Sequence, residues 1–521
     1  MTDKIAMDYV GINSGAALTS GRTLVRNVFW NAVGEVGPLI AAFVAMPILI
    51  HKLGTERFGM IALAWTVFSY FSVFDFGISP ALTKLLSDRL AEHSEREIPE
   101  LIGTSLVLMT VLGLLGSVLL GLFTPMLVGH LFKVPFELQA EATGAFHLLV
   151  IALPICLTLT AFTATLAAYQ RFDLINLVQS PNAMFSSLGP LAVLPFSHSI
   201  VPIIGVLVAG HAVTWFVYFA MCTHAVPRMA SRMRVRVEMV PELLGFGVWA
   251  AGSNMIGLLG GSLDRFVLAA MASMTALSYY VVPARILHKL RILPGTLTRV
   301  MFPALTYSLA QDRAQSRVLF ERGAKTLFVI MFPIALILVA FARELLTLWV
   351  GASFAAFSAV LVQLLTIAAL LESLGRMPGS LLWAAHRPDL GAKIQAVEQP
   401  IYFVLMFALV YLHGALGAAI ACAVRAGAGA AATWIVARTV VPDVARGGRR
   451  LGWFTLAAAV GLALVAVPSP LEMRIGLVCA ELVILAAASW HGLLGSEDRA
   501  ALLQSIWGLP EPAPIRRSGA V

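Results

Sequence analysis

Apolar runs of about 20 residues recur from one end of this sequence to the other, separated by short polar segments. Each is long enough for an α-helix, rising about 1.5 Å per residue, to cross roughly 30 Å of hydrocarbon. Fourteen such windows stand out, near 27–50, 58–80, 101–125, 143–168, 174–196, 200–222, 243–271, 276–300, 323–347, 356–384, 394–412, 414–437, 451–468 and 474–494. Soluble chains are about 25% charged; this one is 12% charged and 59% hydrophobic. The expected fold is therefore an all-α polytopic membrane protein. Its polar segments leave no room for a soluble catalytic or nucleotide-binding domain, and no P-loop, GxGxxG or HExxH pattern occurs. Cys156, Cys222, Cys422 and Cys479 show no CxxC spacing, so neither a metal site nor a disulfide framework is expected, and no cofactor.

The net charge of +8 needs no nucleic acid to account for it. If the N-terminus is cytosolic, alternate loops place 24 of the 36 Lys and Arg on that side and 5 on the other, with 7 inside the windows. That bias follows the positive-inside rule and requires an even number of crossings, both termini inside. Residues 1–20 are polar, with no apolar core of a cleavable signal, and are expected to form a cytosolic tail.

One window departs from the others. Between Val281 and Thr306 lie Arg285, His288, Lys289, Arg291 and Arg299. On a continuous helix at about 100° per residue, all but Arg291 fall in an arc of roughly 100°. A cation at the bilayer centre costs roughly 2.5–3.5 kcal/mol on insertion scales, so such a face must meet water, a counter-charge or a ligand. A surface amphipathic segment is the alternative.

An internal repeat organises the windows. At an offset of 223, Asn31 pairs with Asn254, Gly34 with Gly257, Gly37 with Gly260, and Pro80-Ala-Leu-Thr83 with Pro303-Ala-Leu-Thr306. The expected organisation is a tail over 1–26, six-helix lobes over 27–225 and 226–440, two further helices over 441–495, and a tail over 496–521. Gly34, Gly37, Pro38, Gly257 and Gly260 are candidate bending points, with close packing through small residues as the alternative. The repeat does not extend to charge: Arg285, His288, Lys289 and Arg299 align with Ala62, Trp65, Thr66 and Phe76.

The run Leu53-Gly-Thr-Glu-Arg-Phe-Gly59, the run Asp75-Phe-Gly-Ile-Ser-Pro-Ala-Leu82 and the stretch Leu293-Pro-Gly-Thr-Leu-Thr-Arg-Val-Met-Phe-Pro-Ala-Leu305 resemble the polysaccharide-exporter, or O-antigen flippase, family. The resemblance implies two six-helix lobes around a cavity, alternating access, and flipping of oligosaccharide linked to polyprenyl diphosphate across the bacterial cytoplasmic membrane. It implies a transporter rather than an enzyme. The expected partners are the lipid-linked oligosaccharide, membrane lipid, a proton or sodium ion, and polysaccharide-assembly membrane proteins. An ion-coupled multidrug exporter of the same superfamily is the nearest alternative, a membrane-embedded polymerase or glycosyltransferase a more distant one.

A diphosphate crossing hydrocarbon calls for cations, and arginine's planar fork suits phosphate. Arg285 and Lys289 are expected at the centre of a cationic lumen, with Arg291 and Arg425 as weaker members and Arg299 at its rim. Glu35 and Asp264 are candidates for the coupling ion, because neither has an evident counter-charge in sequence. Glu372 and Arg376, four apart on a helix, are expected to neutralise one another.

Overall fold

The computed structural model describes residues 21–92, 94, 97–226, 229–445, 449–467 and 469–488. Side chains are described for the same residues except 21–35, 72–73, 230–231, 246, 248–262, 445 and 449–457. The regular secondary structure of these segments is helical. Its principal helices are α1 (Gly21–Tyr70), α2 (Ile78–Ala91), α3 (Ile98–Met126), α4 (Gln139–Ala168), α5 (Phe172–Val193), α6 (Ile200–Ala225), α7 (Val240–Met271) and α8 (Met274–Leu290). They continue as α9 (Ile292–Gln311), α10 (Arg313–Ala340), α11 (Ala342–Trp349), α12 (Ala352–Ala384), α13 (Pro388–Val440), α14 (Arg449–Ala466) and α15 (Leu471–Ala488). The protein is an all-α polytopic membrane protein. Among the described residues α1 from Val36 onward, α3, α4, α6, α10, α12 and α13 are long and apolar enough to cross a membrane. Over the described residues the apolar windows lie largely on helix. Rows of exposed apolar side chains, such as Val111, Leu114, Leu115, Val118 and Leu122 on α3, are the surface hydrocarbon would cover.

Three windows are built differently from simple rods. Helix α1 carries two of them and is broken at Gly54 (φ 80°, ψ 166°), a conformation that needs glycine. Beyond Tyr70 a short 3₁₀ turn leads to Phe76 (φ 48°) and Gly77 (φ 76°), and the chain re-enters helix at α2. There the buried Asp75 carboxylate accepts the Ser79 amide at 3.2 Å, serving a free N–H at the helix start. The window expected over 276–300 is two helices, α8 and α9, parted at Arg291. Pro294 explains the break, because it has no N–H for the Leu290 carbonyl and its ring collides with it. Within the window expected over 323–347, helix α10 ends at Ala340 and α11 is a separate eight-residue helix.

Two compact units emerge. The first comprises residues up to Val282 together with Leu405–Ala418, and the second Pro283–Val404 together with Ala419 onward. In the first unit α3 packs on α4, α4 on α6, α1 on α5, and α7 on α2. Small residues allow the closest approaches: a Cβ on Gly113 would lie 2.6 Å from the Pro154 Cα. At the start of α8, Ser278 Oγ donates to the Thr55 carbonyl, and a Cβ on Gly59 would overlap the Met274 carbonyl oxygen. Thr55 and Ser278 stand 223 residues apart, which is the offset of the sequence repeat.

In the second unit α10 is the central helix. Its Phe320, Leu327, Phe328, Met331 and Leu336 are buried with Met377 and Leu381 of α12, Leu462 and Val465 of α14, and Val478 of α15. Arg474 fastens α15 to this core. It donates to Glu344 Oε1 at 2.5 Å and Oε2 at 3.1 Å, to the Ala340 carbonyl at 2.9 Å and to the Ser469 carbonyl at 3.1 Å. One side chain thereby closes the α10 C-terminus and pairs with α11.

Three outcomes are expected. Gly59→Val should lower the thermal unfolding temperature of the purified protein by several degrees, since overpacking costs about 1–3 kcal/mol. Gly391→Ala, where a Cβ meets nothing within 4 Å, should be neutral or slightly stabilising. The Arg474 hydrogen bonds hold the Glu344 carboxyl below the ordinary glutamate range. A depressed carboxyl contributes stability above its unfolded pKa and loses it as pH falls through the folded one. Glu344→Gln should therefore cost about 1–2 kcal/mol at pH 7. The gap to the wild type should close as pH drops below 4, read from melting curves at stepped pH.

Candidate functional site

Most of the cations singled out in the sequence belong to the second unit: Arg285, Lys289, Arg291, Arg299, Arg376 and Arg425. Arg285, His288 and Lys289 occupy the last two turns of α8, where the helix's partial negative end favours positive charge. Arg285 and Lys289 are half-buried. Arg291 sits at the break itself, its amide bonded to the His288 carbonyl at 3.2 Å. The break removes the continuous helix on which Arg299 shared an arc with Arg285; Arg299 belongs to α9 and is exposed.

Two acids, from α12 and α13, meet three of these cations, Arg291, Arg376 and Arg425. Glu372 is shared, with Oε2 2.6 Å from Arg291 Nη2 and Oε1 3.3 Å from Arg376 Nη2. The shorter contact is charge against charge with no aligned hydrogen bond to Oε2. Gly295, just after Pro294, leaves space beside this trio: its Cβ would lie 3.9 Å from Arg376 Nη1. The sequence offered Glu372 to Arg376 alone, because spacing along one helix is visible and a cation arriving from the α8–α9 break is not.

The second acid is Glu398, which the sequence did not mark as a partner. Helix α13 is interrupted at Gly414 (φ 57°, ψ −130°), and its two arms bring Glu398 Oε1 to 3.3 Å from Arg425 Nη1. The Arg425 guanidinium lies 5.0 Å over the Tyr402 ring, whose hydroxyl is 3.4 Å from Cys422 Sγ. Gly429 makes room, since a Cβ there would sit 2.7 Å from Glu398 Oε2. Glu398 and Tyr402 are i and i+4, so a shared face was visible, but the register of the two arms was not. Glu372 is within Coulombic range of both Arg425 and Glu398.

Asp264 belongs to the first unit. Its buried carboxylate accepts the Tyr280 hydroxyl and, at 2.9 Å, the Arg265 amide. Tyr280 is itself 1% exposed. The side chain of Glu35, and Gly34, Gly257 and Gly260, lie outside the described residues. Gly37 is a close-packing position, a Cβ there falling 3.1 Å from Met184 Sδ, with Pro38 beside it inside α1.

A Shigella flexneri protein assigned as an O-antigen transporter is 24% identical over 403 residues, covering 77% of this chain and 95% of that one. The Escherichia coli K12 lipopolysaccharide biosynthesis protein WzxC is 23% identical, over 74% of this chain and 75% of its own. Among solved structures, the lipid II flippase MurJ in an inward closed conformation has a TM-score of 0.67 at 13% identity, over 89% of this chain and 99% of that one. An inward-facing MATE multidrug-resistance transporter of the MOP superfamily gives 0.62 at 14% identity, over 80% and 99%. At such identities these two structures speak for the fold alone. A family model described as polysaccharide biosynthesis protein matches residues 48–359, more than half of the chain, from the first long helix into α12. By that match the chain belongs to the polysaccharide biosynthesis protein family, the polysaccharide exporters its motifs resemble.

Proposed function

We propose that the chain is a flippase that moves polyprenyl-diphosphate-linked oligosaccharide from the cytosolic to the outer leaflet of the bacterial cytoplasmic membrane, for cell-surface or exopolysaccharide biosynthesis. It is a transporter, not an enzyme. Family membership and the pairing of three arginines, Arg291, Arg376 and Arg425, with two carboxylates, Glu372 and Glu398, in the second unit support the reading. The single observation that carries it is that cluster, because a lipid diphosphate is the charged group such a family member must take through hydrocarbon. A cationic drug would be repelled by the same residues, which weighs against multidrug export.

On this reading the chain crosses the membrane fourteen times with both termini cytosolic. Two lobes, 27–225 and 226–440, rock about the substrate, and α14 and α15 are appended to the second. Arg285 and Lys289 engage the diphosphate, Arg291 and Arg425 assist, and Arg299 lies at the rim. Gly34, Gly37, Pro38, Gly257 and Gly260 let the first helix of each lobe bend. Glu35 or Asp264 takes up the proton or sodium ion that drives the cycle. Its substrate passes between membrane proteins that assemble polysaccharide on either side of this step.

Neutralising Arg285 and Lys289 together should reduce glycan export at least tenfold in a flippase-null strain while the protein still inserts. Full complementation by that double variant would sink the assignment of these residues. In liposomes, Glu35→Gln or Asp264→Asn should abolish the response of flipping to an imposed pH or sodium gradient. If both variants keep that response, coupling lies elsewhere.

A further inference from the structure

The arginines of this chain fall into two kinds. Arg474 makes four hydrogen bonds, two of them to one carboxylate. Arg57 is likewise bidentate on Glu141, at 2.9 and 3.4 Å. These are saturated structural locks. Arg425 is different: it makes one 3.3 Å contact with Glu398, and its Nε is buried with no acceptor among the described residues. Glu372 resembles it, with Oε2 close to Arg291 yet without an aligned donor. None of the four is sealed away: side-chain exposure is 19% for Arg425, 16% for Glu398, 35% for Arg291 and 27% for Glu372.

We propose that Glu398 and Glu372 are resident competitors for the arginines of the substrate site, and that a lipid diphosphate binds by displacing them. The proposal rests on the flippase reading and adds a specificity function to it. Every bilayer presents phospholipid headgroups, each with one phosphodiester charge, in vast excess over any lipid diphosphate. A bare guanidinium site would fill with them. A carboxylate already in place sets a threshold: one diffuse charge does not repay its displacement, whereas a diphosphate offers more charge and more oxygens, enough to satisfy Arg425 Nε as well. Specificity then comes from a cost imposed on the wrong ligand. Gly429 keeps Glu398 within reach of Arg425, and Tyr402 supports the guanidinium from below in both states.

The test uses the full-length protein in phosphatidylcholine nanodiscs with farnesyl diphosphate as the probe. Glu398→Gln removes the competitor, and if the free arginine is populated about one part in ten, the probe should bind about tenfold more tightly. Replacing phosphatidylcholine with phosphatidylglycerol should leave the wild-type affinity unchanged and weaken binding to the variant. Glu372→Gln should behave alike and serves if the first variant does not fold. The double variant Arg425→Gln/Glu398→Gln carries no unpaired charge, and it should fold yet bind the probe at least tenfold more weakly than wild type. Unchanged or weaker binding by both single variants, or wild-type affinity in the double variant, overturns the proposal and makes the pairs structural. If no form of the protein binds farnesyl diphosphate, the flippase reading falls with it.

Discussion

A guanidinium set among membrane helices has to be met by negative charge, because its desolvation is not recovered from apolar neighbours. Much of this structure is arranged around that requirement. Arg474 meets it at the end of α10 and in doing so attaches α15 to the second unit. Arg57 meets it through Glu141 and ties the region after the Gly54 break to the start of α4. In both cases the charge is compensated by geometry that leaves little to gain from any other ligand. Where α8, α9, α12 and α13 come together the compensation is incomplete: Glu372 is divided between two arginines, and Arg425 has one long contact. The difference in hydrogen-bond saturation separates scaffold from site more sharply than the presence of charge does.

The backbone places these groups through a few residues that lack something. Gly54 and Gly77 lack a Cβ and turn the chain where L side chains are strained. Gly59 lacks one where α8 passes close by, so the Leu53–Gly59 motif couples a turn to a contact five residues on. Pro294 lacks an N–H and parts α8 from α9, which brings Arg291 to the joint rather than onto a helix face. The family motifs at 53–59, 75–82 and 293–305 are thus mostly instructions for the backbone. They identify the architecture and say little about the cargo.

Helices were legible because their signal is a sum over some 20 residues, and single substitutions barely alter it. The Thr55–Ser278 hydrogen bond, between residues 223 apart, was not legible, because neither residue type marks a partner in sequence. Partners were legible only within a helix. Glu372 and Arg376 could be matched by counting four residues, but Arg291 reaches Glu372 from another element and Glu398 reaches Arg425 around the Gly414 break. Asp264 gave the same difficulty, since its hydroxyl donor, Tyr280, comes from the next helix. The shared arc of Arg285 and Arg299 failed where periodic reasoning does, at an unforeseen interruption, although Pro294 was its visible warning.

The asymmetry of the repeat has a physical rationale. At the offset of 223 Pro80-Ala-Leu-Thr83 matches Pro303-Ala-Leu-Thr306, yet the cations of α8 align with alanine, tryptophan and threonine. Two facing cationic walls would hold a diphosphate from both sides and deepen the well from which it must escape. A transporter gains nothing from affinity that is equal before and after the conformational change, because only differential binding shifts the balance between states. The carboxylates Glu372 and Glu398, beside the same arginines, also give the departing anion a replacement at the moment it leaves. Release and selection are then two aspects of one arrangement: arginines whose counter-ions are near enough to return and too loosely held to stay.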